Sequence, residues 1–116
     1  MDNEEIDRAL GALADELARR RVKAKIYLVG GAAMVLAFHA RTSTGDVDAG
    51  VYPPERVLEA AAAVGQRLGL PEGWLNDHAK IYMPVVGATH WQPVRHWESL
   101  DVLASDERTM LALKLR

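Results

Sequence analysis

The sequence predicts a mixed α/β (α+β) fold, in which a mixed β-sheet is flanked by helices. Helix-like and strand-like patterns follow one another in the order helix, strand, helix, strand, helix, strands, helix. Hydrophobic residues make up 49% and charged residues 26% of the chain, as in ordinary globular proteins. The length of 116 residues is typical of one domain. We therefore expect residues 1–116 to form a single domain.

The first predicted element is an amphipathic helix from Asp2 to about Arg20. Apolar residues recur at helical spacing and share one face of that helix: Ile6, Leu10, Leu13 and Leu17. The basic segment RRRVKAK follows, and its charges suit the negative end of the helix dipole. A solvated helix end is the preferred interpretation of this segment, and a phosphate or nucleic-acid patch is the alternative.

The next elements surround a glycine pair and a carboxylate pair. KIYLVG has the composition of a short buried strand that the glycines end. Residues 32–40 are apolar on all sides and predict a covered helix, and ARTSTG predicts a polar turn. DVDAGVY alternates like a strand, which places Asp46 and Asp48 on one side and Val47 on the other.

The following helix is predicted from Glu55 to Leu68, with Gly69 as its left-handed stop. Prolines and glycines interrupt the segment after it, where we expect a turn of helix and a strand near Ile81. The three tryptophans are expected to fill the core, with a stacking platform for bases as the alternative.

The last third of the chain predicts two short strands and a helix. QPVRHW and LDVLA are the strands, around a turn at Glu98 and Ser99. Ser105 is the predicted N-cap of a final helix that reaches at least Lys114.

Composition and charge exclude several classes of protein. The chain has no cysteine, which excludes disulfides, thiolate zinc sites and cysteine nucleophiles. Its net charge of −2 gives no global reason to expect nucleic acid as a partner. The N-terminal MDNEEIDRAL lacks the features of a signal peptide, and no apolar run approaches the ~18 residues of a membrane span. We expect a soluble, cytoplasmic protein with no membrane partner.

The glycine pair and the carboxylate pair are the residues with the clearest chemistry. A strand that ends in Gly30-Gly31 before a helix presents backbone N–H groups to a phosphate, although a turn can also need glycine for steric reasons alone. Asp46 and Asp48 would project from one face of a strand, and close carboxylates suit a hard divalent cation. The alternative is that both aspartates lie on the solvent face of an edge strand. If β-strands before and after the helix are neighbours, both motifs meet at one end of the sheet.

This combination, VGG followed by a helix and then DVD, resembles the nucleotidyltransferase fold of the DNA polymerase β superfamily. More narrowly, the chain resembles the small bacterial DUF6036 nucleotidyltransferases, which are related to the AbiEii-type toxins of toxin–antitoxin systems. The closer resemblance rests on LVGGAAM, STGDVDA, LGLPEGWLND and the late MLALKLR.

The resemblance implies roles for particular residues. Gly30 and Gly31 would hold the phosphates of a nucleoside triphosphate (NTP). Asp46 and Asp48 would be the catalytic carboxylates that bind Mg²⁺ or Mn²⁺. An in-line phosphoryl displacement is the reaction that such metals support.

Three further residues take roles from the same resemblance. Arg41 and Thr44 lie in the turn before the aspartates and would contact the triphosphate or brace the turn. Lys114 matches a lysine of the family's last motif and would reach phosphate as a catalytic residue. The alternatives are plain turn residues for the first two and a solvated helix residue for Lys114.

The superfamily often uses a third carboxylate, for which this sequence has no secure match. Asp101, at the start of a predicted strand, is the first candidate, and Asp77 is the second. The family's last motif usually continues past its lysine, whereas this chain ends at Arg116. A fragment of a longer enzyme is therefore one of the alternatives.

The sequence leads to two functional hypotheses. The first is a metal-dependent nucleotidyltransferase that moves a nucleoside monophosphate from an NTP to a hydroxyl on RNA, such as tRNA, or on protein. By the resemblance it would be a toxin–antitoxin component with a cognate toxin or antitoxin as partner. The second is a catalytically inactive nucleotidyltransferase-like module that serves in binding or as an antitoxin.

Overall fold

The computed structural model of the protein describes residues 2–28, 47–77 and 91–105. These residues form two helices and five strands, and so confirm the predicted mixed α+β architecture. In chain order the elements are α1 (Asn3–Arg19), β1 (Ala24–Leu28), β2 (Val47–Tyr52), α2 (Pro54–Leu68), β3 (Leu75–Asn76), β4 (Trp91–His96) and β5 (Leu100–Ser105).

The strands form one mixed sheet in the order β3-β2-β1-β5-β4. The central strand β1 runs antiparallel to β2 and parallel to β5. At the edges, β3 runs parallel to β2, and β4 runs antiparallel to β5. Strands β1 and β2, which lie before and after residues 29–46, are therefore direct neighbours in the sheet.

Helix α1 matches its prediction to within one residue at each end. The Asp2 carboxylate accepts a hydrogen bond from the Glu5 backbone N–H at 2.8 Å, which caps the first turn. The predicted apolar stripe is fully buried. After the helix, Arg21 adopts a left-handed conformation (φ 58°), and the Val22 N–H donates to the Leu17 carbonyl at 2.9 Å, so that the chain turns into β1.

Helix α2 also confirms its prediction. Pro54 occupies the first turn, where its missing N–H has no intrahelical partner to lose. Gly69 ends the helix at φ 69°, and its N–H donates to the Gly65 carbonyl.

One face of the sheet is covered by both helices. Alternate residues of the three central strands point to this helix-covered face and are at most 5% exposed: Ala24, Ile26, Leu28, Val47, Ala49, Val51, Leu100, Val102 and Ala104. They join the buried stripes of α1 and α2 in one core. The residues between them, such as Lys25, Asp48 and Asp101, belong to the opposite face, which we call the far face.

The segment after α2 contains a short strand that the sequence pattern did not predict. Strand β3 is two residues long, and a two-residue strand is too short to show alternation. Trp74 precedes it and is 2% exposed, with its indole N–H donating to the Ala61 carbonyl at 2.8 Å. Trp74 thus confirms the core prediction, whereas the strand predicted near Ile81 lies outside the described residues.

The two late strands confirm the predicted hairpin. Trp97 and Leu100 exchange backbone hydrogen bonds of 2.8 and 3.2 Å across the predicted turn. In that turn the Ser99 hydroxyl is buried and donates to the Ala14 carbonyl of α1 at 2.6 Å. Ser105 is the last residue of β5, and the final helix predicted after it lies outside the described residues.

A bidentate ion pair ties the edge strand β4 to α1. The Arg95 guanidinium donates to both carboxylate oxygens of Asp7, at 2.5 and 2.9 Å. The hydrogen bond to Asp7 raises the pKa of Arg95 above its ordinary value, against a smaller opposing effect of burial. In the described residues, neither helix is long and apolar enough to cross a membrane.

Candidate functional site

The candidate site lies at the end of the sheet where β1 ends and β2 begins. Leu28, the last residue of β1, is level with Ala49 on β2 and with Ala104 on β5. The chain therefore leaves β1 towards the VGG motif at the same end at which it enters β2 from the GDVD motif. The strands that flank the two predicted motifs meet as the hypothesis requires.

Asp48 is the one predicted site residue in the described part of the chain. The other predicted site residues lie outside it, so that their roles stay predictions: Gly30, Gly31, Arg41, Thr44, Asp46 and Lys114.

Asp48 lies on the far face because its strand neighbours occupy the core. Val47 and Ala49 are 0% exposed on the helix-covered face, and alternation directs the side chain between them to the opposite face. The Asp48 side chain is half-buried. Among the described residues, none forms an ion pair or side-chain hydrogen bond with its carboxylate. A carboxylate in this position can accept a cation without breaking an ion pair to a described residue.

Asn76 is the neighbour of Asp48 on the far face. The parallel register of β2 and β3 pairs Val47 with Leu75, both buried, and then Asp48 with Asn76, both half-buried. Sequence reasoning did not single out Asn76. Its position follows from the buried Trp74-Leu75 pair that precedes it, since the residue after a buried strand residue points to the other face.

The core fixes the relative position of these two strands. The Val47 backbone N–H donates to the Trp74 carbonyl at 2.6 Å, while the Trp74 side chain is anchored on α2. A Cβ added at Gly65 would lie 2.9 Å from Trp74 Cδ1, which shows how closely the ring packs on the helix. Contacts on the helix-covered face therefore fix the relative position of Asp48 and Asn76.

Three aromatic rings lie on the far face of the sheet. The Tyr27 ring contacts Tyr52 and Trp91 edge-to-face, with ring centroids 5.8 and 5.0 Å apart. Of these, Tyr52 is 46% exposed. Trp91 thus packs on the far face, and the core prediction for all three tryptophans is wrong for this one.

Asp101, the first candidate for a third carboxylate, is in the wrong place, which corrects that prediction. It is the second residue of strand β5, but β5 runs parallel to β1, so that Asp101 is level with Lys25 at the opposite end of the sheet. Asp48 lies one residue beyond the level of Leu28, and Asp101 is level with Lys25. The two residues are therefore about 13 Å apart along the strands, at ~3.3 Å per residue. The His96 ring Nδ1 is hydrogen-bonded to Asp101.

Asp77, the second candidate, directly follows Asn76 and so lies at the Asp48 end of the sheet. It is half-buried. In residues 2–28, 47–77 and 91–105, no group of three or more histidines, aspartates or glutamates is arranged to hold a metal ion.

Two basic residues of the segment after α1 are paired with an acidic neighbour. Glu16 accepts hydrogen bonds from Arg19 at 2.9 Å and Arg20 at 2.7 Å, and Arg67 of α2 approaches it to 3.5 Å. The pKa of Glu16 is lowered, first by the hydrogen bond from Arg20 and then by the charges of the three arginines, against an opposing effect of burial.

Two of the remaining basic residues of this segment line a surface pocket of about 490 Å³. Arg21 and Lys23 share it with Asp15, Glu98 and the half-buried Trp97. Because both signs of charge are present, the pocket does not select for phosphate. The solvated helix end is thus the interpretation that these contacts favour.

Comparisons with known proteins do not add to this geometry. The chain matches no family model, no curated protein and no solved structure. The resemblance to nucleotidyltransferases therefore rests on the motifs alone.

Proposed function

We propose that the protein is a metal-dependent nucleotidyltransferase, which transfers a nucleoside monophosphate from an NTP to a hydroxyl on RNA or protein and releases pyrophosphate. One observation carries the proposal. The half-buried Asp48 of the DVD motif lies on the far face, at the sheet end where β1 gives way to the VGG motif. Phosphate-binding and metal-binding residues of such an enzyme must converge in this way.

The residues at this end suit a hard divalent cation. Asp48 offers a carboxylate without an ion pair to a described residue, and Asn76 beside it offers an amide oxygen. Mg²⁺ and Mn²⁺ prefer such oxygen ligands. In the proposed enzyme Asp46 and Asp48 would hold the cation, which when bound neutralises charge on the triphosphate and polarises the phosphorus that is attacked.

The protein's own residues would align the reactants. Backbone N–H groups of Gly30 and Gly31 would bind the phosphates, and Arg41, Thr44 and Lys114 would add contacts to them. A catalyst of this kind works by alignment and by stabilising charge that develops during transfer. The rigid anchoring of β2 and β3 on the core supports that role, because small displacements of catalytic groups are costly.

The placement of Asp101 favours one alternative, a nucleotidyltransferase-like module that does not catalyse. With Asp101 at the opposite end of the sheet and bound to His96, it is not available as a third carboxylate beside Asp48. Such a module would act in binding, as an antitoxin-like partner. The toxin–antitoxin assignment itself rests on the resemblance of the motifs.

A label-transfer assay tests the proposal. The protein is incubated with each labelled NTP, Mg²⁺ or Mn²⁺, and either total tRNA or cell protein. We expect metal-dependent transfer by the wild-type protein and none by the Asp46→Ala/Asp48→Ala double variant.

The matched control is Asp101→Asn, which alters a carboxylate on the same face at the other end of the sheet. It is expected to retain transfer. If the wild-type protein transfers no label to any acceptor but still binds an NTP with Mg²⁺, the non-catalytic alternative is correct. Transfer that survives in the double variant would exclude the proposed site.

A further inference from the structure

We infer that Asn76 is a ligand of the divalent cation held by Asp48, so that the cation site extends across two strands. This inference rests on the proposed function, because it assumes that Asp48 binds a cation. It adds a residue outside the VGG and DVD motifs: these lie on the chain before β2 and at its start, whereas Asn76 lies on β3, in the LGLPEGWLND stretch, for which the resemblance implies no role.

The register places the two side chains together. Paired residues of neighbouring parallel strands point to the same face, and the strands lie about 4.8 Å apart. Val47 and Leu75 verify this, since both are buried on the helix-covered face at 0% and 4% exposure. Asp48 and Asn76 are the next pair in the register and therefore emerge side by side on the far face.

The position of this pair is fixed by the core. The Val47 N–H bonds to the Trp74 carbonyl at 2.6 Å, and the buried Trp74 ring bonds to Ala61 on α2. Neither strand can slide without breaking a buried contact. Such anchoring is what a cation site needs, because Mg²⁺ demands near-octahedral oxygen geometry.

The chemistry of Asn76 suits a cation ligand. Its neutral amide oxygen is a hard donor that Mg²⁺ or Mn²⁺ can accept beside the Asp48 carboxylate. Asn76 is half-buried on the far face, beside Asp48. The inference gives Asn76 a direct contact with the cation rather than with the nucleotide base or the acceptor.

Cation binding can be measured without any catalytic turnover. Mn²⁺ alone is titrated into the protein, and free Mn²⁺ is followed by its electron paramagnetic resonance signal. Wild type is compared with Asp48→Ala, Asn76→Ala and Asn76→Asp, and circular dichroism checks that each variant is folded. We expect Asn76→Ala to weaken Mn²⁺ binding about 10-fold, as the loss of a supporting ligand does. Asn76→Asp should instead tighten binding, since a carboxylate of equal length replaces the amide oxygen.

Gln92→Glu is the control for added charge. Gln92 is exposed on the edge strand β4. It is level with Ala104, so it lies at the Asp48 end of the sheet but on the edge opposite β3. It should leave Mn²⁺ binding as in the wild type. If Gln92→Glu tightens binding as much as Asn76→Asp does, the effect is long-range attraction, and the inference is overturned.

The outcomes separate this inference from the proposed function. If Asp48→Ala loses Mn²⁺ while both Asn76 variants bind it like the wild type, Asn76 is not a ligand and the proposed site stands. If the wild-type protein itself binds no more Mn²⁺ than Asp48→Ala does, both fail together.

Discussion

The two faces of the sheet differ in composition and in what they do. The helix-covered face of the central strands is made only of aliphatic residues, each at most 5% exposed. The far face of the same strands carries a buried glycine, Gly50, and six residues that are half-buried or exposed: Lys25, Tyr27, Asp48, Tyr52, Asp101 and Leu103. Because side chains alternate along a strand, one sheet can present a packed surface and a chemical surface at the same time.

The two faces separate the residues that stabilise the fold from those that can bind a ligand. Burial of aliphatic groups stabilises the fold, and the far face is left to groups that can contact a ligand. Each such group is held in place by neighbours on the other face: Asp48 lies between the buried Val47 and Ala49. Substitutions on the two faces should therefore have separable effects.

The largest effect on stability should come from the centre of the helix-covered face. Ile26 is 0% exposed on the central strand, and Ile26→Ala would remove its packing and leave a cavity. We expect a loss of about 2–5 kcal/mol in the free energy of unfolding. Urea denaturation measures it, with the exposed far-face variant Lys25→Ala as control, expected within ~0.5 kcal/mol of the wild type. Equal losses in both variants would abolish the distinction between the faces.

Gly65 and Gly11 are both helical, but only Gly65 contacts Trp74, the residue that anchors β3 on α2. In Gly65→Ala the new methyl would lie 2.9 Å from Trp74 Cδ1, and the ring is buried and hydrogen-bonded. We expect a loss of about 1–3 kcal/mol from overpacking. In Gly11→Ala the nearest atom is Trp97 Cζ2 at 3.8 Å, an ordinary contact, and the helix should gain about 0.4–1 kcal/mol.

Thermal unfolding of the two alanine variants should thus shift in opposite directions. A stabilised Gly65→Ala would show that Trp74 is not fixed on α2. The core would then not be what positions Asp48 and Asn76.

A smaller effect is expected from the ion pair that ties β4 to α1. In Asp7→Ala the bidentate contact with Arg95 is lost, and Arg95 is 29% exposed there. We expect a loss of about 1 kcal/mol that shrinks at high salt, since solvent screens a partly exposed pair. Urea denaturation at low and high salt measures it, with Asp15→Ala, an exposed acid on the same helix, as control. A salt-independent loss would point to packing instead of charge.

The smallest effect on stability is expected on the far face at the candidate site. Asp48→Asn keeps the shape of the side chain and breaks no ion pair to a described residue. The free energy of unfolding should stay within ~0.5 kcal/mol of the wild type in the absence of metal. A loss as large as that of Ile26→Ala would assign Asp48 to the structure of the fold rather than to a site.

Much of the fold could be predicted because its signals are local. Three elements are predicted by patterns only a few residues long. These patterns are the periodic apolar stripe of α1, the proline and glycine at the ends of α2, and the alternation of β5. Strand β3 was not predicted because two residues are too few to show alternation. Its pairing with β2 also depends on Trp74, which packs on α2. That interaction is tertiary and leaves no local pattern.

The candidate site could be predicted in part for the same reason. The DVD alternation correctly assigns Asp48 to the face opposite Val47. The choice of Asp101 failed because strand direction, which decides the end of the sheet that a residue occupies, is set by the order and pairing of all strands. Asn76 was not singled out because its place beside Asp48 follows from the register of β3.

We propose that the Asp48 end of the far face binds a metal–nucleotide complex, and the dependence of stability on ligand measures this binding. Thermal unfolding is measured with Mg²⁺ alone and with Mg²⁺ plus non-hydrolysable NTP analogues, for wild type, Asp48→Asn and Asp101→Asn. A ligand that binds only the folded state raises the unfolding temperature. We expect at least one analogue to raise it for wild type and Asp101→Asn but not for Asp48→Asn. No shift with any analogue in the wild type, or an equal shift in all three proteins, would contradict the claim.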